Sequence, residues 1–355
     1  MDGLCGKEVP TMSNKVEKIG LFLGKFSILH LGHQYVIDTA LKEMDKLIIL
    51  IYDAPSSTDI PLDVRAGWIR KIYENWPVEV IEGWCGPEET GYSEEIKQLQ
   101  NEYILKMVGN RGITHFYSSE PYGEHVSQAL HCINRIVDIN RTTFPISAST
   151  IQKNPYLYKE YINPVVYRDL ITNIVFVGAP STGKTTIAER LANKFNTVWM
   201  PEYGREYWEK YQVNRRLEPW QLSEIAEGHL IRENEKLLQA NKYLFTDTNA
   251  ITTYMFAMDY HSFAEDKLVE LAKAAENRYD LVFLCSDDIP YDDTWDRSGD
   301  VHRHIFQRKI ESDLLQRKVP YITLKGNLEE RISTVEKILG NFKKWNSVGN
   351  LWINS

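Results

Sequence analysis

Short apolar runs alternate with segments of helical period along most of this chain. From Lys18 to about Gln152 they predict strands at 19–24, 47–52, 78–81, 114–118 and 134–138, with helices at about 33–44, 62–75, 93–107 and 122–131 between them. The strand runs are apolar throughout rather than at every second residue, the pattern of a parallel sheet covered by helices on both faces. Prolines and tyrosines between Lys153 and Pro164 interrupt it, and from Thr172 the alternation restarts. Strands are then predicted at 173–177, 243–247, 280–285 and 320–324, and helices at 184–195, within 203–239, within 249–276, at 302–317 and at 328–340. The expected fold class is α/β: two doubly wound parallel-sheet domains at 17–165 and 166–345, a disordered leader at 1–16 and a C-terminal tail at 346–355. Met12 is a candidate natural start.

Size and charge then narrow the chemistry. At 355 residues each half can bury its own core, and no run approaches the roughly 18 apolar residues of a membrane span. The net charge of -8, without a basic stripe, excludes nonspecific nucleic-acid binding, which rests on neutralising many phosphates. A compact polyanion such as ATP stays compatible, since a nest of backbone N–H groups and a few cations suffice. Cys5, Cys85, Cys132 and Cys285 are isolated, so neither a zinc site nor a disulfide framework is signalled. With no apolar signal segment near the start, the expected setting is cytoplasmic and reduced. Oligomeric state, a homo-oligomer included, is left open.

The segment GAPSTGKT from Gly178 to Thr185 matches the phosphate-loop pattern and lies between a predicted strand and a predicted helix, the context that pattern needs. Gly178, Ser181, Thr182, Gly183, Thr185 and Thr186 are candidates to bind the phosphates of ATP. Lys184 can reach the β and γ phosphates, and the Thr185 hydroxyl can ligate Mg2+. Asp247 ends the apolar strand 243–247, where a second magnesium ligand is wanted; the alternative is a cap for the helix starting at Asn249. Glu202, Arg205 and Glu206 cluster on a predicted loop after a short strand. Glu202 and Asp247 are both candidates to orient a substrate hydroxyl. The polar stretch 292–303 reads either as a lid whose Arg297 and Arg303 close on the triphosphate or as a solvated surface loop.

A second phosphate-handling pattern, His30-x-Gly32-His33, follows the run Ile19–Gly24 in the same strand, loop, helix order. Both imidazoles can face a phosphate held over a helix N-terminus and donate to its nonbridging oxygens as charge grows. Lys25 supplies a fixed cation. The chemistry that fits is attack on the α-phosphate of ATP with departure of pyrophosphate, which needs no covalent nucleophile. Ser147, Ser149 and Thr150 stand at a predicted helix start and read either as an N-cap or as ligands for the β and γ phosphates.

Together these residues resemble a known family. Gly24-Lys25-Phe26 with His30-x-Gly32-His33, then Tyr117-Ser-Ser-Glu120, Val137-Asp138-x-x-Arg141 and Ile146-Ser-Ala-Ser149, are similar to the nicotinamide mononucleotide (NMN) adenylyltransferase half of NadR-type bifunctional enzymes. The GAPSTGKT loop, Glu202-Tyr203-Gly-Arg205-Glu206, Thr246-Asp247-Thr248 and Asp292-Asp293 before Arg297 look like their ribosylnicotinamide kinase half. The resemblance implies a Rossmann-like nucleotidyltransferase domain followed by a P-loop kinase domain. It implies phosphorylation of nicotinamide riboside by the second and adenylylation of the NMN formed, to NAD, by the first. It places Gly24, Gly32 and Arg141 at ATP, Asp138, Tyr203 and Arg205 at substrate, and Tyr92, or alternatively Trp84, against the nicotinamide ring.

Two features depart from the family. Gln152, followed by Lys153, stands where the hydroxyl cluster usually ends in Arg, which removes a bidentate cation from ATP phosphate binding unless Lys153 or Arg141 substitutes. About 18 residues precede the first strand, too few for the DNA-binding helix-turn-helix some members carry. Two other readings use the same motifs: coenzyme A synthesis, where an adenylyltransferase and a kinase also act in sequence, and an ATP- and NAD-sensing regulator with weak turnover.

Overall fold

A computed structural model of the chain describes residues 17–87, 91, 93–120, 123–213, 217–290 and 300–345. It divides into two compact units, Met1–Asn163 and Pro164–Ser355. Among the described residues no helix is long and apolar enough to cross a membrane.

The first unit is built on β1 (Ile19–Gly24), β2 (Lys46–Tyr52), β3 (Val78–Gly83), β4 (His115–Ser118) and β5 (Ile133–Ile136), all parallel, in the order β3-β2-β1-β4-β5. Helices α1 (Leu31–Glu43), α2 (Leu62–Ile72), α3 (Glu94–Val108) and α4 (Gly123–Ala129) join them, and a short α5 (Ala148–Lys153) follows. The strand order reverses between β1 and β4, which opens a crevice at the carboxyl ends of the strands, the usual place for a ligand in such a sheet. The central β1 and β2 are buried along most of their length, as continuous apolar runs require. The edge strand β5 departs from that pattern, with Ile133 and Ile136 exposed, because an edge has one neighbour and less cover.

The second unit has β6 (Thr172–Val177), β7 (Trp199–Met200), β8 (Tyr243–Asp247), β9 (Leu281–Cys285) and β10 (Ile322–Leu324), again parallel, ordered β10-β9-β6-β8-β7. Its helices are α6 (Pro164–Leu170), α7 (Lys184–Lys194), α8 (Tyr203–Tyr211), α9 (Pro219–Gln239), α10 (Ala250–His261), α11 (Asp266–Ala275), α12 (Asp300–Gln316) and α13 (Leu328–Asn341). One sheet face packs Phe176, Phe245 and Phe283 against Ile187 and Leu191 of α7 and Val335 of α13. The other packs Val175 and Val177 against Ile251 of α10 and Phe306 and Ile310 of α12.

One sequence expectation is corrected. The segment 203–206 is not a loop but the first turn of α8, with Glu202 in extended conformation as its N-cap residue. Tyr207 buries on this helix while Glu206 pairs with Arg232, so helical periodicity outweighs the charged appearance of the segment. Between the proline and tyrosine interruption and Thr172 lies α6, which starts on Pro164, a residue whose fixed φ suits the first helical position.

Candidate functional site

In the first unit the histidine pair stands where β1 runs into α1. His30 is the N-cap residue of α1, and its Nδ1 accepts from the backbone N–H of Gly32 at 3.1 Å. The rings of His30 and His33 stack with centroids 3.8 Å apart, and Phe26 meets His33 edge-on at 5.0 Å. Gly32 is required here, since a Cβ would lie 2.9 Å from the His30 ring. His30 is 5% exposed, and burial, then the nearby Arg141 charge, lowers its pKa to about 4. Burial, the neighbouring His30 and Arg141 hold His33 well below the usual imidazole range as well.

Both rings are therefore neutral at pH 7. Because Nδ1 of His30 is occupied as an acceptor, its proton belongs on Nε2. That Nε2, like Nδ1 of His33, is buried without a hydrogen-bond partner among the described residues. The pair borders a cavity that Glu120, Asp138, Arg141 and Phe144 also line.

Lys25, just past Gly24, donates to Ser57 Oγ at 2.9 Å, and Gln152 Nε2 donates to the Ser57 carbonyl, so the turn at Ser57 braces both. Ser147 caps α5, and its hydroxyl bonds those of Ser149 at 2.9 Å and Thr150 at 2.7 Å. Asp138 accepts from the N–H groups of Thr142 and Thr143, and the Thr142 hydroxyl and these amides hold its pKa down at about 2. Arg141 reaches Glu120 at 3.5 Å. Trp84 is half exposed beyond β3, donates to Glu82 and does not line the histidine cavity. Tyr92 lies outside the described residues.

Sequence reasoning missed Arg65 on α2. Its buried guanidinium donates to the carbonyls of Ile60 and Tyr52 at 2.9 Å each and to that of Lys25, and so fixes the backbone beneath Lys25. The signal was present: Leu62, Arg65, Ala66 and Ile69 form one helical stripe, and a charge within an apolar stripe marks a buried polar contact.

In the second unit the loop after β6 turns through Gly178, Ser181 and Gly183, all with positive φ, into α7. Gly178 needs its glycine, because a Cβ would lie 2.7 Å from the Cys285 carbonyl. Lys184 is 9% exposed and folds back so that Nζ donates to the carbonyls of Gly178 at 3.0 Å and Ala179 at 2.9 Å. Thr182 braces the loop by donating to Ala179 O at 2.8 Å, and Thr186 lies exposed on the first turn of α7.

Asp247 is opposite Phe176 in the β6–β8 register, which places it beside the loop. Thr185 Oγ1 donates to Asp247 Oδ2 at 2.5 Å, while Oδ1 is fully buried without a partner among the described residues. Burial, then the Glu202 carboxylate, pushes the Asp247 pKa up to about 6; Lys184, Thr185 and Arg205 oppose the rise. The α7 head thus collects a hydroxyl, two carboxylates and two cations. A buried, unpartnered carboxylate oxygen next to a hydroxyl suits a hard divalent cation.

The helix cap that sequence offered as the alternative for Asp247 belongs to Asn249, which accepts from Thr252 N at 3.1 Å. Tyr203 carries the Arg232 guanidinium 3.8 Å over its ring. Arg303 is buried on α12 and donates to the carbonyls of Ile289 at 3.1 Å and Ser181 at 3.4 Å, whereas Arg297, with Asp292 and Asp293, lies outside the described residues.

Comparison with known proteins follows this division. Residues 21–154 match the family model described as cytidylyltransferase-like, and residues 173–331 match one described as an AAA domain. The trifunctional NAD biosynthesis/regulator protein NadR of Salmonella typhimurium is 28% identical over 94% of this chain and 86% of its own length. That of Escherichia coli K12 is 29% identical over 86% of this chain and 78% of its own. The chain is homologous to NadR. A crystal structure of NadR protein in complex with NAD and AMP-PNP aligns over 92% of this chain and 97% of its own at a TM-score of 0.56 and 21% identity. A second NadR structure, in complex with NR, aligns over 91% and 95% at 0.54 and 23%. At those identities the NadR structures establish likeness of fold. A phosphopantetheine adenylyltransferase of Fusobacterium nucleatum is 41% identical over 58 residues, 16% of this chain.

Proposed function

We propose that the chain is a bifunctional transferase of NAD synthesis: its second unit phosphorylates nicotinamide riboside to NMN with ATP, and its first transfers the adenylyl group of ATP to NMN. The reading is carried by one observation. Both phosphate-handling motifs stand in a single chain that aligns with NadR over 94% of its length. Coenzyme A synthesis has weaker support, because its relative matches only 58 residues.

In the first unit a phosphate oxygen of NMN attacks the α-phosphorus of ATP and pyrophosphate leaves. His30 donates Nε2–H to an oxygen of the reacting phosphate, and His33, stacked on it, keeps that ring turned into the cavity. Lys25 adds positive charge from the turn that Ser57 and Arg65 brace. Gln152 does not supply the charge an Arg would; it holds the same turn through the Ser57 carbonyl.

In the second unit the riboside hydroxyl attacks the γ-phosphorus of ATP, the bond to the β–γ bridging oxygen breaks and ADP leaves. Lys184 exchanges its loop carbonyl partners for β and γ phosphate oxygens, and the α7 N-terminus faces the same charge. Asp247 and Thr185 would hold Mg2+, which neutralises phosphate charge when bound. Glu202, at the head of α8 and close enough to raise the Asp247 pKa, then orients the hydroxyl beside Arg205. The substrates and products are small molecules, and the isolated cysteines fit a reduced, cytoplasmic setting.

The test is to incubate the purified chain with ATP, magnesium and nicotinamide riboside and to follow NMN and NAD by chromatography. Both products are expected. NMN without NAD would sink the adenylyltransferase half, and turnover of pantetheine phosphates instead would move the assignment to coenzyme A synthesis.

A further inference from the structure

Two polar side chains from the C-terminal helices grip the phosphate loop from behind. Gln307 on α12 accepts from Ala179 N at 2.7 Å and donates to Cys285 O at 3.0 Å. Arg331 on α13 donates to the carbonyls of Thr182 at 2.6 Å, Gly326 at 2.9 Å and Ser286 at 2.9 Å, and pairs with Asp288 at 2.5 Å. They are 6% and 3% exposed. A buried guanidinium is costly unless its donors are matched, and here one planar group matches four acceptors.

The geometry of those acceptors is informative. Thr182 follows β6, Ser286 and Asp288 follow β9, and Gly326 follows β10, three neighbouring strands of the sheet. Arg331 therefore ties together the loops at the carboxyl ends of all three. Its bond to Thr182 O fixes the peptide that joins Thr182 to Gly183, immediately before α7 begins at Lys184. With that peptide held, the N–H groups at the head of α7 are set before any phosphate arrives. Gln307 holds the other end of the loop.

We propose that Arg331 is a positioning residue for the triphosphate in the kinase reaction, acting through the Thr182 carbonyl with Gln307 as its counterpart at Ala179. The Arg331 charge is matched by Asp288, and its other donors are taken by backbone carbonyls. This inference rests on the kinase reading of the second unit.

The experiment uses the full chain with Arg331→Lys and Gln307→Leu. The KM values for ATP and for nicotinamide riboside are measured separately, with adenylylation of supplied NMN as an internal control and thermal unfolding as the check on folding. Arg331→Lys is expected to raise the KM for ATP by about tenfold or more, the scale of losing a hydrogen bond made by a charged group. The riboside KM and NMN adenylylation should stay at wild-type values. A folded Arg331→Lys chain with an unchanged KM for ATP overturns the proposal, as does an equal rise in both KM values. Loss of rate with both KM values unchanged, matched by a lower concentration of active sites, shows a merely structural role and also overturns it. Should Arg331→Lys unfold the second unit, Gln307→Leu takes the same readout, and a wild-type KM for ATP there is the adverse result. If the wild-type chain phosphorylates no riboside, the kinase reading fails instead. Calorimetric binding of a nonhydrolysable ATP analogue to wild type and variants then still decides whether Arg331 positions the loop.

Discussion

Thr185 Oγ1 donates to Oδ2 of Asp247 at 2.5 Å, and this bond leaves the second oxygen of Asp247 buried with no partner among the described residues. The carboxylate is thus held in place while half of it stays available, at the cost of a pKa pushed up to about 6 by burial and Glu202. Stability and function then pull in opposite directions at this residue.

Asp247→Asn should abolish riboside phosphorylation and leave adenylylation of supplied NMN intact. Because the folded pKa is raised from 3.8 to about 6, Asp247 contributes stability below about pH 4 that is lost as pH rises through 6. The nucleotide-free variant should therefore be more stable than wild type at pH 7, on the order of 2 kcal/mol, and equal to it near pH 4. Thermal unfolding at the two pH values checks this; a less stable variant at pH 7 would contradict it.

His30 combines a cap with a proposed catalytic N–H. His30→Ala should cost about 1 kcal/mol for the lost cap and slow adenylyl transfer by on the order of 10²-fold. His30→Asn should restore the stability but not the rate, and both should leave riboside phosphorylation unchanged. Recovery of the rate by Asn would show that the cap is all that matters.

The imidazole pair should also set an acid limit. Folding holds the His30 pKa at about 4, below 6.5, so the histidines contribute stability above 6.5 that is lost as pH falls toward 4. Adenylyl transfer should show no histidine titration between pH 6 and 8, read from kcat against pH. A limb with an apparent pKa near 6.5 that disappears in His30→Ala would refute neutral histidines.

Arg65→Met removes donors from two buried carbonyls and one part-buried carbonyl and should destabilise the first unit by roughly 3 kcal/mol. Denaturant unfolding should show the early transition in the unit that loses adenylyl transfer, with riboside phosphorylation surviving it. Simultaneous loss of both activities would deny the two units independent stability.

Much of this protein was legible before folding. Continuous apolar runs such as 47–52 and 174–177 suit the centre of a parallel sheet, and glycine-containing turns between such a run and a helix mark both candidate sites. Segment 203–206 misled because a charged N-terminal turn looks like a loop when its one buried partner, Tyr207, comes later.

The sequence by itself determined the element types and the two motif sites, because hydrophobic period and glycine positions act within a few residues. Tertiary structure decided which strand lies beside which, and so that Asp247 stands next to the phosphate loop. It also decided that Arg65, Gln307 and Arg331 turn inward to brace backbone up to 149 residues away. Their helices show an interrupted apolar stripe, but the partner of a buried charge is chosen by three-dimensional packing, which local periodicity does not encode.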